Sequence, residues 1–180
     1  MQSLQGHLLV AGADLWDPNF RRAVVLIGHH DEEGAVGVVL NRASDISVDE
    51  AVPPLSGLVA PGDRLFLGGP VQPKAAVVLA DFEDPAGAGV LAFGTIGFLP
   101  EEIEAGSVLG IRRARVFVGY AGWGAGQLEV ELAEDSWVVE PALSQDVFTD
   151  DPERLFDEVL RRKGPAFDLL RLMPVDPSSN

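Results

Sequence analysis

Short apolar runs separated by turn residues dominate the first part of the chain. Residues 7–12, 23–28 and 35–40 each form an almost uninterrupted apolar segment. Runs of this length that are rich in Val, Leu and Ile predict buried β-strands. The polar stretch at residues 29–34 ends in glycine and joins the second run to the third. The pattern therefore predicts a β-hairpin over these two strands.

Further strand-like segments follow along the chain, several of them bounded by Gly or Pro. They are residues 64–67, 75–80, 90–93, 115–120 and 136–140. Residues 127–134 fit two patterns, because Leu128, Val130 and Leu132 alternate with acidic residues as on a strand. Leu128 and Leu132 are also four residues apart, and the residue types favour a helix, which is our prediction for this segment.

Helices are predicted where capping residues precede apolar stripes. Ser47 and Glu50 fit a capping box, and the short helix that they begin would end before Pro53. Asp151 is the predicted N-cap of a longer helix, with Pro152 in its first position and Gly164 after its end. The inward face of that helix is apolar. Its members are Leu155, Phe156, Val159 and Leu160.

Two further helical segments are shorter. Residues 100–105 are predicted to form one piece that ends at Gly106. Pro165 begins another, which ends at Pro174, and residues 176–180 are expected to fray. We expect its inward face to consist of Phe167, Leu169 and Leu170.

Composition places the chain among ordinary globular proteins. Its 180 residues fit a single domain spanning residues 1–180. It contains no cysteine, which excludes disulfides, thiolate nucleophiles and cysteine-based zinc sites. The N-terminal segment lacks the basic and apolar regions of a secretory signal, and no run is long enough for a membrane helix. We therefore expect a cytoplasmic protein without a membrane partner.

The charge balance bears on possible partners. Acidic residues number 28 against 13 Lys and Arg, so the formal net charge is −15. Because proteins hold nucleic acids by neutralising phosphates with Lys and Arg, direct nucleic-acid binding is disfavoured. Two short basic clusters occur, and we interpret both as solvated charge at element ends. They are Arg112, Arg113 and Arg115, and Arg161, Arg162 and Lys163.

Several segments together identify a family. They are LLVAGADLWDPNF at residues 8–20, HDEEGAVGVVLNR at 30–42, GGPV at 68–71, the stretch from Tyr120 to Trp137 that begins YAGWGAGQLE, and PVDP at 174–177. The chain resembles the YqgE/AlgH family of bacterial proteins over nearly its whole length. The resemblance implies an α+β fold with a mixed, partly barrel-like sheet flanked by helices. It also implies a role described as transcriptional regulation, without assigning a reaction.

The chain departs from the family pattern at three places. Ala43 and Ala125 stand where members usually have proline. Residues 78–80 contain no histidine, although members commonly have one near that strand end. A role that depends on this histidine is therefore not carried over to this chain.

The glycine-rich segment and two other stretches suggest a ligand site. Arg42 would anchor an anionic ligand, glycine N–H groups would cradle it, and Trp123 would stack on it. The predicted ligand-binding residues are Asn41, Arg42, Gly68, Gly69, Tyr120, Gly122, Trp123, Gly124 and Gln127. The alternative is structural: Arg42 pairs with an acid such as Asp45, and the glycines allow Trp123 to pack against backbone.

Metal and catalytic sites find less support. His29 and His30 are adjacent, so on a strand they point to opposite faces and do not share one ion. Glu129 and Glu131 are interpreted as solvated acidic surface. No G-x-S-x-G elbow is present. We therefore predict no metal, no cofactor and no catalytic residue.

Two functional hypotheses remain. The first is a non-enzymatic regulatory or binding protein that acts through a protein partner or a small ligand. The second is a small-molecule sensor or enzyme with an anion-binding pocket near Arg42 and the loop from Gly119 to Gly126. Trp16, Trp123 and Trp137 are expected to be buried structural residues. The sequence leaves the oligomeric state open.

Overall fold

A ten-stranded sheet forms the framework of the computed structural model, which describes residues 1–101 and 110–173. Its strands are β1 (His7–Ala11), β2 (Val24–Asp31), β3 (Gly34–Val39), β4 (Ala43–Ser47), β5 (Arg64–Leu67), β6 (Val71–Phe82), β7 (Val90–Phe93), β8 (Ile96–Phe98), β9 (Ile111–Gly124) and β10 (Trp137–Pro141). The hydrogen-bonded order is β10-β1-β2-β3-β9-β6-β8-β7, and β4 and β5 attach beside β9. Strand β5 runs parallel to β9 and the other pairs are antiparallel, so the sheet is mixed, as predicted.

The sheet is strongly curved. Strand β7, at one end of the order, returns to lie beside β2. Gln5, just before β1, also donates from Nε2 to the carbonyl oxygen of Leu91 at 2.6 Å. Among the described residues, no ladder of hydrogen bonds joins β7 to β10, so the sheet stays open. This arrangement agrees with the expected partly barrel-like sheet.

Short helices cover the faces and one end of the sheet. The α-helices are α1 (Val48–Ala51), α2 (Gln127–Ala133), α3 (Ser144–Val147), α4 (Leu155–Lys163) and α5 (Asp168–Arg171). In the described part of the chain, four 3-10 turns accompany them at Pro53–Leu58, Pro85–Gly87, Pro152–Arg154 and Pro165–Phe167. The helical assignment of residues 127–134 is confirmed by α2. Together with the sheet, these elements confirm the α+β class.

Both faces of the central strands are buried, which explains their continuous apolar runs. On β1, Leu8 and Val10 face a core that α3 and α4 cover, whereas Leu9 faces a second core next to α2. A third core lies beneath α1, on one face of the paired strands β6 and β9. Alternating residues of one strand thus enter different cores, because successive side chains point to opposite faces.

The glycine-rich segment is part of a strand, not the loop that the sequence indicated. Strand β9 begins at Ile111 and continues through Gly124, well beyond the predicted residues 115–120. Its last residues pair with β3, with Gly122 opposite Val36 and Gly124 opposite Gly34. The glycines lack the side chains that usually identify a strand, so only the pairing partner reveals it.

The start of the longest helix also differs from the prediction. Ser47 caps α1 and accepts from the N–H of Glu50 at 3.3 Å, which is one half of the predicted capping box. Asp151, in contrast, makes no side-chain cap, because Pro152 begins a 3-10 turn and the α-helix starts only at Leu155. The predicted apolar stripe of α4 is nevertheless buried, and Gly164 follows its end.

Some elements and orientations had no clear sequence signal. Strands β4 and β8 and helix α3 are short and were not predicted. Leu169 is 83% exposed, because α5 spans a single turn and its inner side is occupied by Leu170. Trp16 is 49% exposed and lies under the guanidinium of Arg21 at 4.5 Å. The predicted helix at 100–105 extends beyond the described residues, and the predicted end at Pro174 and the tail lie outside them.

Candidate functional site

The turn between β9 and α2 is held by its own side chains. The Oε1 atom of Gln127 accepts from the N–H of Gly124 at 3.1 Å, and Gly126 has a left-handed φ of 76°. Helix α2 that follows has seven residues. The predicted ligand residues Gly124 and Gln127 are therefore bonded to each other and close the turn.

Glu131 organises the aromatic residues around this turn. Its Oε2 atom accepts from the indole N–H of Trp123 at 2.7 Å and from that of Trp137 at 3.0 Å. Both indole rings are 6% exposed, and Phe20 packs against both of them. The interpretation of Glu131 as solvated surface is wrong, because its carboxylate provides the polar partner that two buried indoles need.

Glu129 faces another direction and contacts His30. The Nε2 atom of His30 lies 2.7 Å from Oε1 of Glu129, and Nδ1 accepts from the backbone N–H of Leu4 at 3.0 Å. Because Nδ1 accepts a hydrogen bond, the proton of the ring is on Nε2, and the Nε2–H group donates a hydrogen bond to the carboxylate. The pKa of Glu129 is lowered, first by a hydrogen bond with its own backbone N–H and then by the bond from His30.

The two adjacent histidines diverge as expected. His29 is exposed and its Nε2 lies 2.7 Å from Asp31, whereas His30 is buried. Within residues 1–101 and 110–173, no group of three metal-binding side chains is arranged around a common point.

Gly68 and Gly69 pack directly on the backbone of β9. A Cβ atom on Gly68 would lie 2.3 Å from the carbonyl oxygen of Gly119, and one on Gly69 would lie 2.3 Å from that of Tyr120. The amide of Gly68 donates to Val118 at 2.8 Å. These glycines allow two backbones to approach more closely than any side chain would permit.

Asn41 and Arg42 bind the loop that precedes β2. The side chain of Asn41 accepts from the N–H of Val24 and donates to the carbonyl of Arg22, each at 2.9 Å. Arg42 donates through Nη2 to the carbonyls of Pro18 at 3.0 Å and Arg21 at 3.1 Å, and through Nη1 to that of Asn19. The pKa of Arg42 is lowered by burial, an effect that Asp17 partly opposes. Backbone carbonyls, not Asp45, are thus its partners.

The structure brings together some of the predicted site residues and separates others. Arg42 adjoins Gly68, because the N–H of Leu67 donates to the carbonyl of Arg42 at 2.8 Å. Gly124 pairs with Gly34 at the start of β3, whereas Asn41 follows the end of that strand. About 3.3 Å per residue places these ends roughly 20 Å apart. Ligand binding by these residues stays a prediction, without a common cradle for all of them.

A different group of residues lines a cleft of about 230 Å³, which we call the Arg115 cleft. It lies between residues 62–64, residues 114–116 of β9, and the loop residues Thr149 and Asp150. Val59, Phe66 and Pro152 complete its walls. The sequence did not predict that these residues form one cleft, since they come from three distant segments.

Arg115 is the central side chain of this cleft. Its Nη1 donates to the carbonyls of Val147 at 3.0 Å and Thr149 at 2.8 Å, and its guanidinium lies 4.5 Å from the ring centroid of Phe66. Burial lowers the pKa of Arg115, while Asp63 and Asp150 oppose that effect. The interpretation of Arg115 as solvated charge is therefore wrong. A signal did exist, because a lone arginine lies between apolar strand residues in ARVFV.

The other members of the predicted basic clusters are mostly engaged. Arg112 donates to Asp81 at 3.1 Å, and Arg113 lies over the ring of Phe148 at 4.3 Å. Arg162 forms a two-pronged pair with Asp146, at 3.0 and 2.9 Å. In these clusters the arginines stabilise neighbouring elements as well as carrying surface charge.

Comparisons with known proteins identify the relatives of this chain. A family model described as AlgH-like, DUF179, matches residues 8–168. A UPF0301 protein of Streptomyces avermitilis is 42% identical, with 100% of this chain and 97% of the relative covered. A UPF0301 protein of Mycobacteroides abscessus is 40% identical, with coverages of 97% and 87%.

Solved structures agree with this assignment. A crystal structure of a Corynebacterium diphtheriae protein has a TM-score of 0.85 at 26% identity, covering 96% of this chain and 94% of that one. The solution structure of the AlgH protein from Pseudomonas aeruginosa has a TM-score of 0.69 at 30% identity, with coverages of 97% and 98%. None of the helices in the described residues has the length and apolar character to cross a membrane. By its sequence and by its fold, the chain belongs to the AlgH-like family.

Proposed function

We propose that this protein is a cytoplasmic, non-enzymatic regulatory protein that acts by binding a protein partner or a small ligand and does not contact DNA directly. The observation that supports it is the state of its few cationic side chains. Phosphate backbones are bound by Lys and Arg that are free to neutralise them. In this chain most such groups already have partners within the fold.

Carboxylates hold nearly half of the cations. These side chains are Arg64, Arg112, Arg161, Arg162, Lys163 and Arg171. Each such pair cancels a positive charge that a phosphate would otherwise meet. With 28 acidic residues against 13 basic ones, the remaining field around the protein repels polyanions.

Most of the other arginines face aromatic rings or backbone carbonyls. Arg21, Arg22, Arg113 and Arg115 lie over aromatic rings, and Arg22, Arg42 and Arg115 donate to carbonyl oxygens. These contacts fix the guanidinium groups within the fold, so they cannot rearrange to follow a phosphate backbone. The surface is therefore poorly suited to the several simultaneous phosphate contacts of a DNA-binding protein.

The histidines support a non-enzymatic role. His30 is bonded on both ring nitrogens, to Leu4 and to Glu129. His29 is paired with the exposed carboxylate of Asp31, and His7 contacts the carbonyl of Gln5 at 3.3 Å. These contacts secure turns and the N-terminal segment, which is a structural use of the imidazole.

Fluorescence anisotropy with a labelled DNA duplex tests this proposal. We expect no saturable binding at ~0.2 M salt, and at lower salt a slope of log K against log[salt] that corresponds to about one phosphate or fewer. Lys74→Glu should leave the signal unchanged. Sequence-specific binding that persists at ~0.2 M salt, with a slope that implies several phosphate contacts, would overturn the proposal.

A further inference from the structure

We propose that the Arg115 cleft binds a small zwitterion of the α-amino acid type, with its carboxylate on Arg115 and its ammonium group facing Asp63 and Asp150. This inference rests on the proposed function, since it names the class of small ligand that a binding protein of this kind would take. It is carried by the geometry of one arginine and by the distribution of charge around it.

Arg115 is held in place with part of its guanidinium left open. Nη1 is occupied by the carbonyls of Val147 and Thr149, and the ring of Phe66 supports the guanidinium plane. In the described residues, Nε and Nη2 have no protein acceptor. Every buried side-chain nitrogen in those residues has a hydrogen-bond partner, so Nε and Nη2 are not buried. These two N–H groups are therefore accessible from the cleft. They form the parallel pair that binds a carboxylate in bidentate fashion.

The acidic side of the cleft is formed by Asp63 and Asp150. Asp63 accepts from the backbone N–H of Ala60 at 3.1 Å through Oδ2, which leaves its other oxygen available. The carboxylate of Asp150 is exposed, and no donor in the described residues contacts it. Both acids line the same cleft as Arg115. An ammonium group that enters beside the guanidinium would meet two carboxylates.

The balance of charges favours a dipolar ligand over an anion. The charged side chains that line the cleft are two acids, Asp63 and Asp150, and two bases, Arg64 and Arg115. Arg64 is already paired with Glu153 at 3.1 Å, so its charge is partly neutralised. A simple anion would be repelled by the two aspartates, whereas a zwitterion places one charge opposite each group.

The size of the cleft fits a ligand of this class. A volume of about 230 Å³ lies below the 300–1,000 Å³ of cavities that hold drug-sized molecules. Phe66 and Pro152 are buried, and they provide apolar wall beside the charged groups. A small metabolite with one short side chain would fill the space.

Isothermal titration calorimetry on the full chain tests the inference. Each standard amino acid is titrated separately, with acetate and methylammonium as single-charge probes. We expect at least one amino acid to bind with a dissociation constant below ~1 mM, at least tenfold more tightly than either probe. Equal binding of acetate would overturn the zwitterion assignment, and an absence of binding across the panel would overturn the site.

Substitutions locate the site. Asp150→Asn removes the charge of a side chain that makes no hydrogen bond with the described residues, and it should weaken amino-acid binding at least tenfold. Glu32→Gln is the matched control, because it removes the same charge from an exposed position in the β2–β3 turn. Glu32→Gln should change the affinity less than twofold. Equal loss in both variants, or none in Asp150→Asn, would contradict the inference.

Arg115→Lys tests the bidentate contact and separates it from folding. The lysine keeps the positive charge but lacks the parallel N–H pair. We expect weaker amino-acid binding with unchanged weak binding of methylammonium, while circular dichroism confirms the fold. Unchanged affinity for the amino acid would remove Arg115 from the site. DNA binding tests the proposed regulatory class separately, so the two failures are distinguishable.

Discussion

Arg42 lies where three backbone carbonyl groups of one loop converge on a single guanidinium. The neighbouring side chain of Asn41 donates to the carbonyl of Arg22 in the same loop and accepts from the N–H of Val24 at the start of β2. At the scale of single residues, side chains that the sequence suggests as ligand-binding groups instead form hydrogen bonds with backbone groups. Buried or half-buried carbonyls need such partners, because leaving them without a hydrogen bond is costly.

Arg42→Ala should destabilise the protein in the absence of any ligand. Loss of hydrogen bonds from a charged donor to the carbonyls of Pro18, Asn19 and Arg21 should cost about 2 kcal/mol. Thermal unfolding measures the effect, expected as a decrease of about 4–8 °C. Arg161→Ala is the control, since its exposed pair with Asp157 should contribute about 0.5 kcal/mol. An unchanged melting temperature for Arg42→Ala would show that the loop does not depend on it.

Glu131→Ala should disturb the aromatic cluster. Removing the carboxylate leaves the buried N–H groups of Trp123 and Trp137 without their acceptor, at a cost of about 2–4 kcal/mol. Urea unfolding followed by tryptophan fluorescence measures this loss. Glu134→Ala, an exposed position after the same helix, should cost less than about 0.5 kcal/mol. Similar losses in the two variants would argue against the indole–carboxylate contacts.

Backbone-to-backbone packing is the feature that matters at the scale of elements. The Gly68-Gly69 segment lies against β9 with no room for a Cβ atom, and Gly119 adopts a φ of 74° at the same place. This contact positions β5 and the start of β6 on either side of β9. These glycines thus determine how closely the strands approach each other. Predicting strands and loops from the sequence does not reveal this distance.

Gly119→Ala and Gly126→Ala separate steric contact from backbone strain. Both positions have a φ near 75°, so both variants incur about 1–2 kcal/mol of left-handed strain. A Cβ on Gly119 would also lie 2.3 Å from the carbonyl oxygen of Gly69, whereas one on Gly126 would meet no atom of the described residues within 4 Å. We expect Gly119→Ala to be less stable by a further ~2 kcal/mol in urea unfolding. Equal stabilities would mean that the two backbones separate readily.

At the scale of the whole molecule, the pair His30–Glu129 joins three distant parts of the chain. It connects the N-terminal segment, through the N–H of Leu4, with β2 and with α2. Ser3 adds a second bond, from its hydroxyl to the carbonyl of His30 at 3.0 Å. The N-terminal segment is thereby attached to the element that follows the glycine-rich strand.

Stability should depend on acid pH through Glu129. Its pKa in the folded protein is lowered, so it contributes stability above its unfolded pKa of about 4.3, and the contribution is lost as pH falls through the folded value. The stability difference between the wild type and Glu129→Gln should therefore shrink as urea unfolding is repeated from neutral pH downward. Glu134→Gln is the control and should show a smaller change. A constant difference for Glu129→Gln would contradict this role.

The sequence alone was sufficient for the family, the α+β class and the buried strands β1, β2 and β3. The strands follow from their apolar runs, and the family from a set of segments that includes the glycine-tryptophan stretch. The α+β class follows from the resemblance to that family. Helix α2 was also predicted. Its apolar residues fit both a strand and a helix, and the high helix propensity of its residue types decided between them. Such properties depend on neighbours in sequence, which the chain displays directly.

Only the tertiary structure decided the continuation of β9 through Gly124, the partners of Arg42 and Glu131, and the existence of the Arg115 cleft. Strand β9 pairs with β3, Arg42 with the carbonyls of Pro18 and Arg21, and Arg115 lies near Asp63 and Asp150, all of them far apart along the chain. The partners of Glu131 are closer in sequence, but only the folded turn brings both indole N–H groups to one carboxylate. The sequence around a charged side chain does not show whether its partner is water, a carbonyl group or an aromatic ring. That choice is made by packing, because burial determines which polar groups must be satisfied within the fold.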